Sequence, residues 1–460
     1  MVLSRATSKI LSTNNFKEVK VLFSDVNLIQ NHQNQHRNYT TTKTKIIVQK
    51  PIVEIGGDEM SKIIFDKIKQ RLIIPYLNLE RDYYDCSLIN RNKTNNEVVV
   101  EATEAILKHN VGIKCSTITP NEEKSKEYNL KKMWPSPNTM IRNALNGTQF
   151  REPIICNNIN KFVNKWTDPI IICRHTFGDQ YAGTDINITK PGKVSIVYET
   201  TDGEEYKYEV HSFKGPGIAM LTFNHYDSIK NFAESCFHTA LERKMPLFFA
   251  SKYTHLKKYD TMFYDVFQHL YESKYKRLFD KVKLTYEHKL IDDMCAAAIK
   301  SRGGFVWALK SYDGDVLSDI IGQGFGSMAM MMHSLKSHDG KTILTEPAHG
   351  SITKHYKRHL KGKQTSTNPI SSIFAWTRGL QHRAKLDCNY DLLEFTELLE
   401  QCSLRAIEEG NLTKDLALCV KGHNIKESDF ITTNEFIDVI AAKVEMNITK
   451  VFPREVAQNA

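Results

Sequence analysis

The sequence predicts an α/β protein with a mainly parallel sheet, because short apolar strands alternate with amphipathic helices near its start. The strand Pro51–Ile55 precedes two glycines and then a predicted helix, Glu59–Gln70, with apolar side chains at helical spacing. A second helix, Glu97–His109, leads into the strand Val111–Lys114. Strand–helix–strand alternation of this kind is typical of parallel strands covered by helices.

Later segments extend this pattern. Pro169–Ile172 predicts a buried strand, and Val194–Tyr198 with Glu205–Val210 flank a Thr-Asp-Gly turn and predict a β-hairpin. Further helices are predicted over 228–241, 259–281 and, as a closing helix, 395–409.

The glycine-rich stretch Gly322–Gly326 does not predict a dinucleotide-binding loop. It lacks the G-x-G-x-x-G spacing, and no strand leads directly into it. We therefore expect a flexible turn there, and the sequence contains no Rossmann fingerprint.

Length and composition limit the class of protein. At 460 residues the chain is long enough for two or three domains and a sizeable core, and no apolar run predicts a membrane span. The formal net charge of +9 suits anionic ligands, but no basic stripe interleaved with aromatic residues predicts nucleic-acid binding. Nine cysteines without Cys-x-x-Cys spacing favour reduced thiols and no structural zinc.

Residues 1–44 differ from the rest of the chain in composition. Basic residues outnumber acidic ones, and Ser, Thr and Asn are abundant. This composition predicts an organellar transit peptide, with the mitochondrion as first choice and another organelle or the cytoplasm as alternatives. A plain disordered extension has the same composition.

Two carboxylates predict a metal site. Asp315 and Asp319 are four residues apart, so a helix that starts near Asp313 places both on one face. Hard oxygen ligands at that spacing suit Mg²⁺ or Mn²⁺, and Asp292 in a helical run upstream offers a third carboxylate. The alternative is a solvated acidic helix start.

Anion-binding groups gather earlier in the sequence. Ser136 and Pro137 predict a helix start, and its free N–H groups, together with Ser136 and Asn138, favour an anion. Arginine forks bind carboxylates two bonds at a time, so several would suit a polycarboxylate, although each alone also fits a surface ion pair. The arginines are Arg142, Arg151 and Arg174.

The chain resembles the eukaryotic NADP-dependent isocitrate dehydrogenases from about Lys45 nearly to its C-terminus. The matching motifs, in family order, are Glu54–Met60, Lys114–Pro120, Gly178–Tyr181, Tyr286–Met294 and Ser366–Pro369. The resemblance implies the isocitrate/isopropylmalate dehydrogenase fold, with a β clasp that joins two subunits in a homodimer. It implies a large α/β domain over 45–145 and 326–460, a small α/β domain over 146–178 and 226–325, and the clasp over 179–225.

The resemblance also implies the reaction and its residues. Isocitrate would be decarboxylated oxidatively to 2-oxoglutarate with reduction of NADP⁺, with Asp315 and Asp319 of one subunit and Asp292 of the other holding Mg²⁺ or Mn²⁺. Lys252 would assist proton removal at C2 across the dimer, and Tyr181 would protonate C3; both are expected to have lowered pKa values. Substrate contacts would come from Thr119, Ser136, Asn138, Arg142, Arg151 and Arg174.

The implied cofactor contacts depart from the family at several positions. They are Thr117, Ile118, Thr119, Lys124, Gly350, Ser351, Ile352, Thr353, Lys354, His355 and Asn368, with Lys300 from the partner. Lys354 and Lys124 stand where arginine is usual, and Ala297 where glutamine is usual. Lysine keeps the charge but loses the bidentate fork, so we expect weaker NADP affinity with unchanged preference.

Two alternatives remain at this stage. A sister enzyme would use NAD or act on isopropylmalate or tartrate, but the serine, asparagine and arginine set favours a third substrate carboxylate. An RNA-binding protein that has lost catalysis would use the basic surface, but three intact carboxylates would repel phosphate unless a cation lay between them.

Overall fold

The computed structural model describes the backbone of residues 45–451 and the side chains of 45–448. The predicted transit peptide at 1–44 lies outside the described residues. In the described part of the chain, no helix combines the length and apolarity needed to cross a bilayer.

The strands alternate with helices along the chain. The strands are β1 Ile46–Ile47, β2 Ile52–Gly56, β3 Leu77–Asn78, β4 Arg81–Asp85, β5 Val111–Lys114, β6 Thr148–Pro153, β7 Ile170–His175, β8 Thr184–Ile188, β9 Gly192–Glu199, β10 Glu205–Phe213, β11 Gly217–Leu221, β12 Leu247–Ser251, β13 Tyr286–Leu290, β14 Phe305–Leu309, β15 Met331–Lys336 and β16 Ile343–Pro347. The α-helices are α1 Glu59–Ile68, α2 Leu88–Lys93, α3 Glu97–His109, α4 Glu122–Glu127, α5 Pro137–Leu145, α6 Tyr226–Arg243, α7 Tyr259–Leu270, α8 Lys276–Lys281, α9 Ile291–Lys300, α10 Ser311–Gly324, α11 Thr353–His359, α12 Ile370–Asp387, α13 Tyr390–Glu408, α14 Lys414–Lys421 and α15 Thr433–Val451.

Ten strands form one sheet in the order β13-β12-β14-β7-β6-β15-β16-β5-β2-β4. Both outer parts are parallel, as predicted, whereas β7, β6, β15 and β16 pair antiparallel in the middle. The antiparallel centre was not predicted. Because β12, β13, β14 and β7 are parallel, their carboxyl ends meet at one edge, where α/β proteins generally place their ligands.

Most predicted elements are confirmed. The helix Glu97–His109 and the strand Val111–Lys114 have the predicted bounds. The hairpin is also confirmed, since β9 and β10 pair antiparallel. Its strands carry exposed apolar side chains, among them Tyr198 and Tyr208.

Two predictions of the sequence analysis are wrong. The stretch from Gly322 to Gly324 is the last turn of α10 and not a flexible turn. Glycine has no side chain, so this turn can pack closely against its neighbours. A Cβ on Gly324 would lie 2.1 Å from Cζ3 of Trp166. The helix predicted over 395–409 does not close the fold either, since α14 and α15 follow it.

Apolar packing fixes both faces of the sheet. One cluster gathers around α12, where Trp376 packs on Phe65 with ring centroids 5.1 Å apart. Another is rich in aromatic residues and lies under α6 and α7, where Phe249 stacks on Phe267 at 4.3 Å. These clusters hold the strands whose ends carry the predicted site residues.

Candidate active site

Helix α10 approaches β7 closely through a glycine. A Cβ on Gly314 would lie 2.9 Å from Cβ and Cγ of Arg174, closer than side-chain carbons approach, so only glycine allows this distance. The carboxylate of Asp315, one residue further on, therefore reaches the guanidinium of Arg174.

Asp315 is the centre of a network of charged hydrogen bonds. It accepts a hydrogen bond from Arg151 Nη2 at 2.7 Å, another from Arg174 Nη1, and one from Tyr181 Oη at 2.6 Å. Burial opposes its ionisation, but the two arginines outweigh burial and lower the pKa of Asp315. Asp319 lies 3.3 Å from Arg151 Nη1, and burial raises its pKa, with the charge of Asp315 adding to the rise.

Two buried arginines present unsatisfied donors at this site. Arg151 and Arg174 lie on the neighbouring strands β6 and β7 and are 5% and 2% exposed. The Nε of each is buried and has no hydrogen-bond partner within residues 45–448. Buried donors are normally paired, so these two atoms mark the place of an acceptor such as a carboxylate.

The predicted substrate residues near the start of α5 lie beside the same network. Ser136 is the N-cap and Pro137 the first helical residue, as predicted, although the Ser136 side chain makes no capping hydrogen bond. Arg142 lies 3.5 Å from buried Glu346, and it lines a small cleft together with Arg174 and Tyr181. Two further buried atoms, Asn138 Oδ1 and Thr117 Oγ1, have no partner in the described chain.

Lys252 and Asp292 form a separate pair. Lys252 Nζ donates to Asp292 Oδ1 at 2.6 Å, and this hydrogen bond lowers the pKa of Asp292. The buried carboxylate of Asp260 holds the backbone of Lys252 in place, because it accepts a hydrogen bond from the Lys252 N–H at 2.8 Å. It also accepts from Lys310 Nζ at 2.7 Å. Among residues 45–448, no three metal-ligating side chains come together. Within one chain, therefore, Asp315 and Asp319 form one group, and Lys252 and Asp292 form a second, separate group.

Three of the predicted cofactor residues contact the carboxylate of Glu59. Its carboxylate accepts from Lys124 Nζ at 3.0 Å, Ser351 Oγ at 2.7 Å and Thr353 Oγ1 at 2.5 Å. Burial opposes ionisation of Glu59, but these hydrogen bonds outweigh it and lower its pKa. Two segments that are far apart in sequence, at Lys124 and at 351–353, therefore share one buried anion.

Asp58 holds the loop that contains Thr117, Ile118 and Thr119. It accepts from the backbone N–H groups of Leu88 and Ile118, both at 2.8 Å. The chain passes so close here that a Cβ on Gly57 would lie 2.1 Å from the carbonyl oxygen of Ser116. Ser116 Oγ in turn donates to the His349 carbonyl at 2.7 Å, which joins this loop to the segment from Gly350 to His355.

A cationic cavity of about 460 Å³ adjoins this segment. Its basic lining residues are His355, Arg358, Lys414 and Lys426, and they outnumber the two carboxylates of the lining, Glu427 and Glu435. Lys354 is exposed and is not among the residues that line the cavity. Asn368 is buried and donates to Asp415 at 3.1 Å. Lys300 ends α9, and no hydrogen bond or ion pair within the described chain joins it to the other predicted cofactor residues.

Comparison with known proteins decides the family. The isocitrate/isopropylmalate dehydrogenase family model matches residues 47–440. The chain belongs to this family. It is 52% identical over 402 residues to the chloroplastic/mitochondrial isocitrate dehydrogenase [NADP] of Arabidopsis thaliana, which covers 87% of this chain and 83% of that protein. It is 50% identical over 405 residues to the peroxisomal isocitrate dehydrogenase [NADP] of the same plant, covering 88% and 97% of the two chains. Identity is 50% over 412 residues to the mitochondrial isocitrate dehydrogenase [NADP] of Sus scrofa, covering 89% and 97%.

Sequence reasoning missed three acids, Asp58, Glu59 and Asp260, that accept hydrogen bonds from predicted site residues. Asp58 and Glu59 lay inside a matching motif, Glu54–Met60, but no role was predicted for them. Asp260 stands in an apolar helical segment and is fully buried, which only the fold reveals. The pKa expectation for Tyr181 is wrong in the single chain, because burial and the hydrogen bond to Asp315 raise the pKa of Tyr181 to about 12.

Proposed function

We propose that this protein catalyses the oxidative decarboxylation of isocitrate to 2-oxoglutarate and CO₂ with reduction of NADP⁺. Family membership and about half-identical relatives that carry the name isocitrate dehydrogenase [NADP] support this activity. The structural observation that carries it is the pair of buried arginines with free Nε atoms beside Asp315 and Tyr181.

Isocitrate has three carboxylates, and the arginines supply matching donors. Arg151 and Arg174 would bind carboxylate oxygens through Nε atoms that have no partner in the described chain, and Arg142 would add a third guanidinium from α5. The small polar groups Thr119, Ser136 and Asn138 would orient the remaining oxygens. A ligand with fewer carboxylates would leave more of these donors without an acceptor, which favours the tricarboxylate.

Asp315 and Asp319, with the partner subunit's Asp292, would hold Mg²⁺ or Mn²⁺. The donor set fits a hard divalent ion, since carboxylate oxygens suit it and the lowered pKa keeps Asp315 ionised. When bound, the ion supplies Lewis acidity toward the substrate oxygens. Only two of these three carboxylates are neighbours in one chain, which supports a site completed by a second subunit.

Protons at the substrate would be handled by Lys252 and Tyr181. Tyr181 would deliver its phenolic proton to C3, and its raised pKa keeps it protonated at neutral pH. Lys252 would assist removal of the C2 hydroxyl proton, held in place by Asp260 through its backbone N–H. NADP⁺, when bound, accepts the hydride.

The exposed hairpin supports a homodimer. Apolar side chains such as Tyr198, Tyr208 and Val210 are more than half exposed on β9 and β10, as a surface that meets another subunit would be. We retain 179–225 as the clasp, 45–145 with 326–460 as the large domain, and 146–178 with 226–325 as the small domain.

The cavity beside α11 gives the proposed cofactor site a charge that Lys354 does not supply. Arg358, Lys414 and His355 face that cavity, so Arg358 would offer the bidentate fork that the departure at Lys354 removes. Lys124, Ser351 and Thr353 would act together with Glu59, and Thr117, Ile118, Gly350, Ile352 and Asn368 would shape the loops. Lys300 would act from the partner subunit.

For localisation, the named relatives include mitochondrial, chloroplastic and peroxisomal proteins. We propose the mitochondrion for this protein on the composition of residues 1–44. A fluorescent fusion of those residues should enter mitochondria, and a fusion that stays in the cytosol would contradict the proposal.

The deciding experiment is an assay with purified protein, isocitrate and either NADP or NAD, with and without Mg²⁺ or Mn²⁺. We expect isocitrate-dependent NADPH formation that needs the divalent ion and is much weaker with NAD. Activity with isopropylmalate or tartrate in place of isocitrate, or equal use of NAD, would contradict the proposal.

A further inference from the structure

A second cavity lies on the face of the sheet opposite the predicted substrate site, between α6 and α12. Its volume is about 240 Å³. Side chains alternate between the two faces of a strand. On β6, Phe150 and Glu152 line this cavity, whereas Arg151 points to the substrate side. On β15, the lining residues are Met332, Ser334 and Lys336. We call it the rear cavity.

Lys336 is the unpaired cation of the rear cavity. Its ammonium group makes no hydrogen bond or ion pair with any residue in the 45–448 range, and its Nζ lies 5.5 Å from the ring centroid of Phe150. Burial lowers the pKa of Lys336, the carboxylates of Glu242 and Glu152 oppose this effect, and the charges of Arg243 and Lys385 add to the lowering. A largely buried ammonium group without a hydrogen-bonded anion is energetically unfavourable, because it has lost water and gained no direct partner.

The other charges around Lys336 are already engaged. Arg243 donates to Glu152 at 2.6 Å, and Lys385 lies 3.9 Å from Glu242. Arg378 Nε lies 3.1 Å from Glu400, but it is buried without a properly oriented hydrogen-bond acceptor. The lining thus contains four cations, Arg243, Lys336, Arg378 and Lys385, and two carboxylates, Glu152 and Glu242.

We propose that the rear cavity binds a compact polyanion, either a small polycarboxylate or inorganic phosphate, with Lys336 as its anchoring cation. The cavity has room for such an ion, since it is several times the roughly 30 Å³ that one water occupies. The polyanion would accept from the Lys336 ammonium, which has no hydrogen-bond partner in the described chain, and from the guanidinium of Arg378, which is ion-paired with Glu400 but makes no well-oriented hydrogen bond through Nε. This site is separate from the predicted substrate site and does not depend on the proposed reaction.

Site-resolved acetylation of lysines tests the proposal directly. The intact protein is treated with an acetylating reagent in citrate, in phosphate or in chloride at equal ionic strength, and modification is followed by peptide mass spectrometry. The reference residue is Lys341, which is in the turn that follows β15 and is 73% exposed. A saturating polyanion should slow modification of Lys336 by about tenfold, as expected for a charge-assisted contact, and leave Lys341 unchanged.

The two anion arms identify the source, since protection by citrate alone indicates a polycarboxylate and protection by phosphate alone indicates phosphate. Calorimetric titration then compares Lys336→Met with Lys341→Met. Lys336→Met should lose one anion-binding event per chain, and Lys341→Met should keep it. No protection of Lys336 by either anion, equal protection of Lys341, or unchanged binding by Lys336→Met would each overturn the proposal.

Discussion

Asp315 and Asp292 are both predicted metal ligands near the starts of their helices, yet the chain holds them in opposite ways. Asp315 has three donors, Arg151, Arg174 and Tyr181, and its side chain is 36% exposed. Asp292 has one ion-pair partner, Lys252, and its side chain is 61% exposed. One chain therefore holds Asp315, in the proposed substrate half of the site, by several hydrogen bonds, and leaves the Lys252–Asp292 pair, the proposed open half, exposed. We expect this contrast if two subunits share the site.

The strongest test of the substrate half is Asp315→Asn. The substitution removes a proposed metal ligand and the acceptor of three hydrogen bonds, so we expect isocitrate turnover to fall by about a thousandfold. Asp313→Asn on the same helix is the matched control, since Asp313 lies 3.9 Å from Lys310 and is no proposed ligand. Near-normal turnover of Asp315→Asn with the same ion requirement would remove this residue from the site.

The substrate half should also be sensitive to acid through His175, which follows Arg174 on β7. Burial lowers the pKa of His175 to about 4, so the unfolded chain binds more protons between pH 4 and the ordinary histidine pKa of about 6.5. Stability is therefore lost as the pH falls through that window, and His175 should contribute about 2 kcal/mol of loss between pH 7 and pH 5. Urea unfolding of wild type and His175→Gln at both pH values measures it. An identical pH dependence in the two proteins would contradict the assignment.

A third test compares Arg358 and Lys354 as contacts for the NADP phosphate in the proposed cofactor site. Arg358 lines the cationic cavity and Lys354 does not, so Arg358→Met should weaken NADPH binding about tenfold, as expected for one charged contact to phosphate. Lys354→Met should have a smaller effect, and NADH binding should change little in either variant. Fluorescence titration of the nucleotide measures this without turnover. A larger loss of NADPH affinity in Lys354→Met than in Arg358→Met would show that Lys354 makes the phosphate contact.

The smallest expected effect is on the free energy of unfolding, when the Lys252–Asp292 ion pair of the open half is removed. Lys252→Met removes an ion pair that is largely exposed, and such pairs are worth about 0–1 kcal/mol. The free energy of unfolding should therefore change by less than about 1 kcal/mol while turnover is nearly lost. Arg151→Met, which removes a buried cation with several partners, is the contrasting variant and should destabilise by about 1–3 kcal/mol. A strongly destabilised Lys252→Met protein would mean that the pair is structural.

The strands β12, β13 and β14 were not predicted. From the alternation of β2 and β5 with the amphipathic helices α1 and α3, the sequence predicted a mainly parallel sheet. It did not predict the antiparallel centre, because β6, β15 and β16 are buried on both faces and show no alternation that fixes strand direction. The carboxylates on α10 were predictable from their spacing. The roles of Glu59 and Asp260 were not, because their partners lie far away in sequence or on neighbouring elements that only the fold brings close.

A heterodimer with one lesion in each half tests the shared site most directly. Lys252→Met and Arg142→Ala homodimers should each be nearly inactive. In the mixed dimer both lesions fall in one site and the other site is intact, so we predict about half of the wild-type activity per dimer. Purified heterodimers as inactive as either parent would show that Lys252 and Arg142 serve the same site from one chain, and would contradict the account.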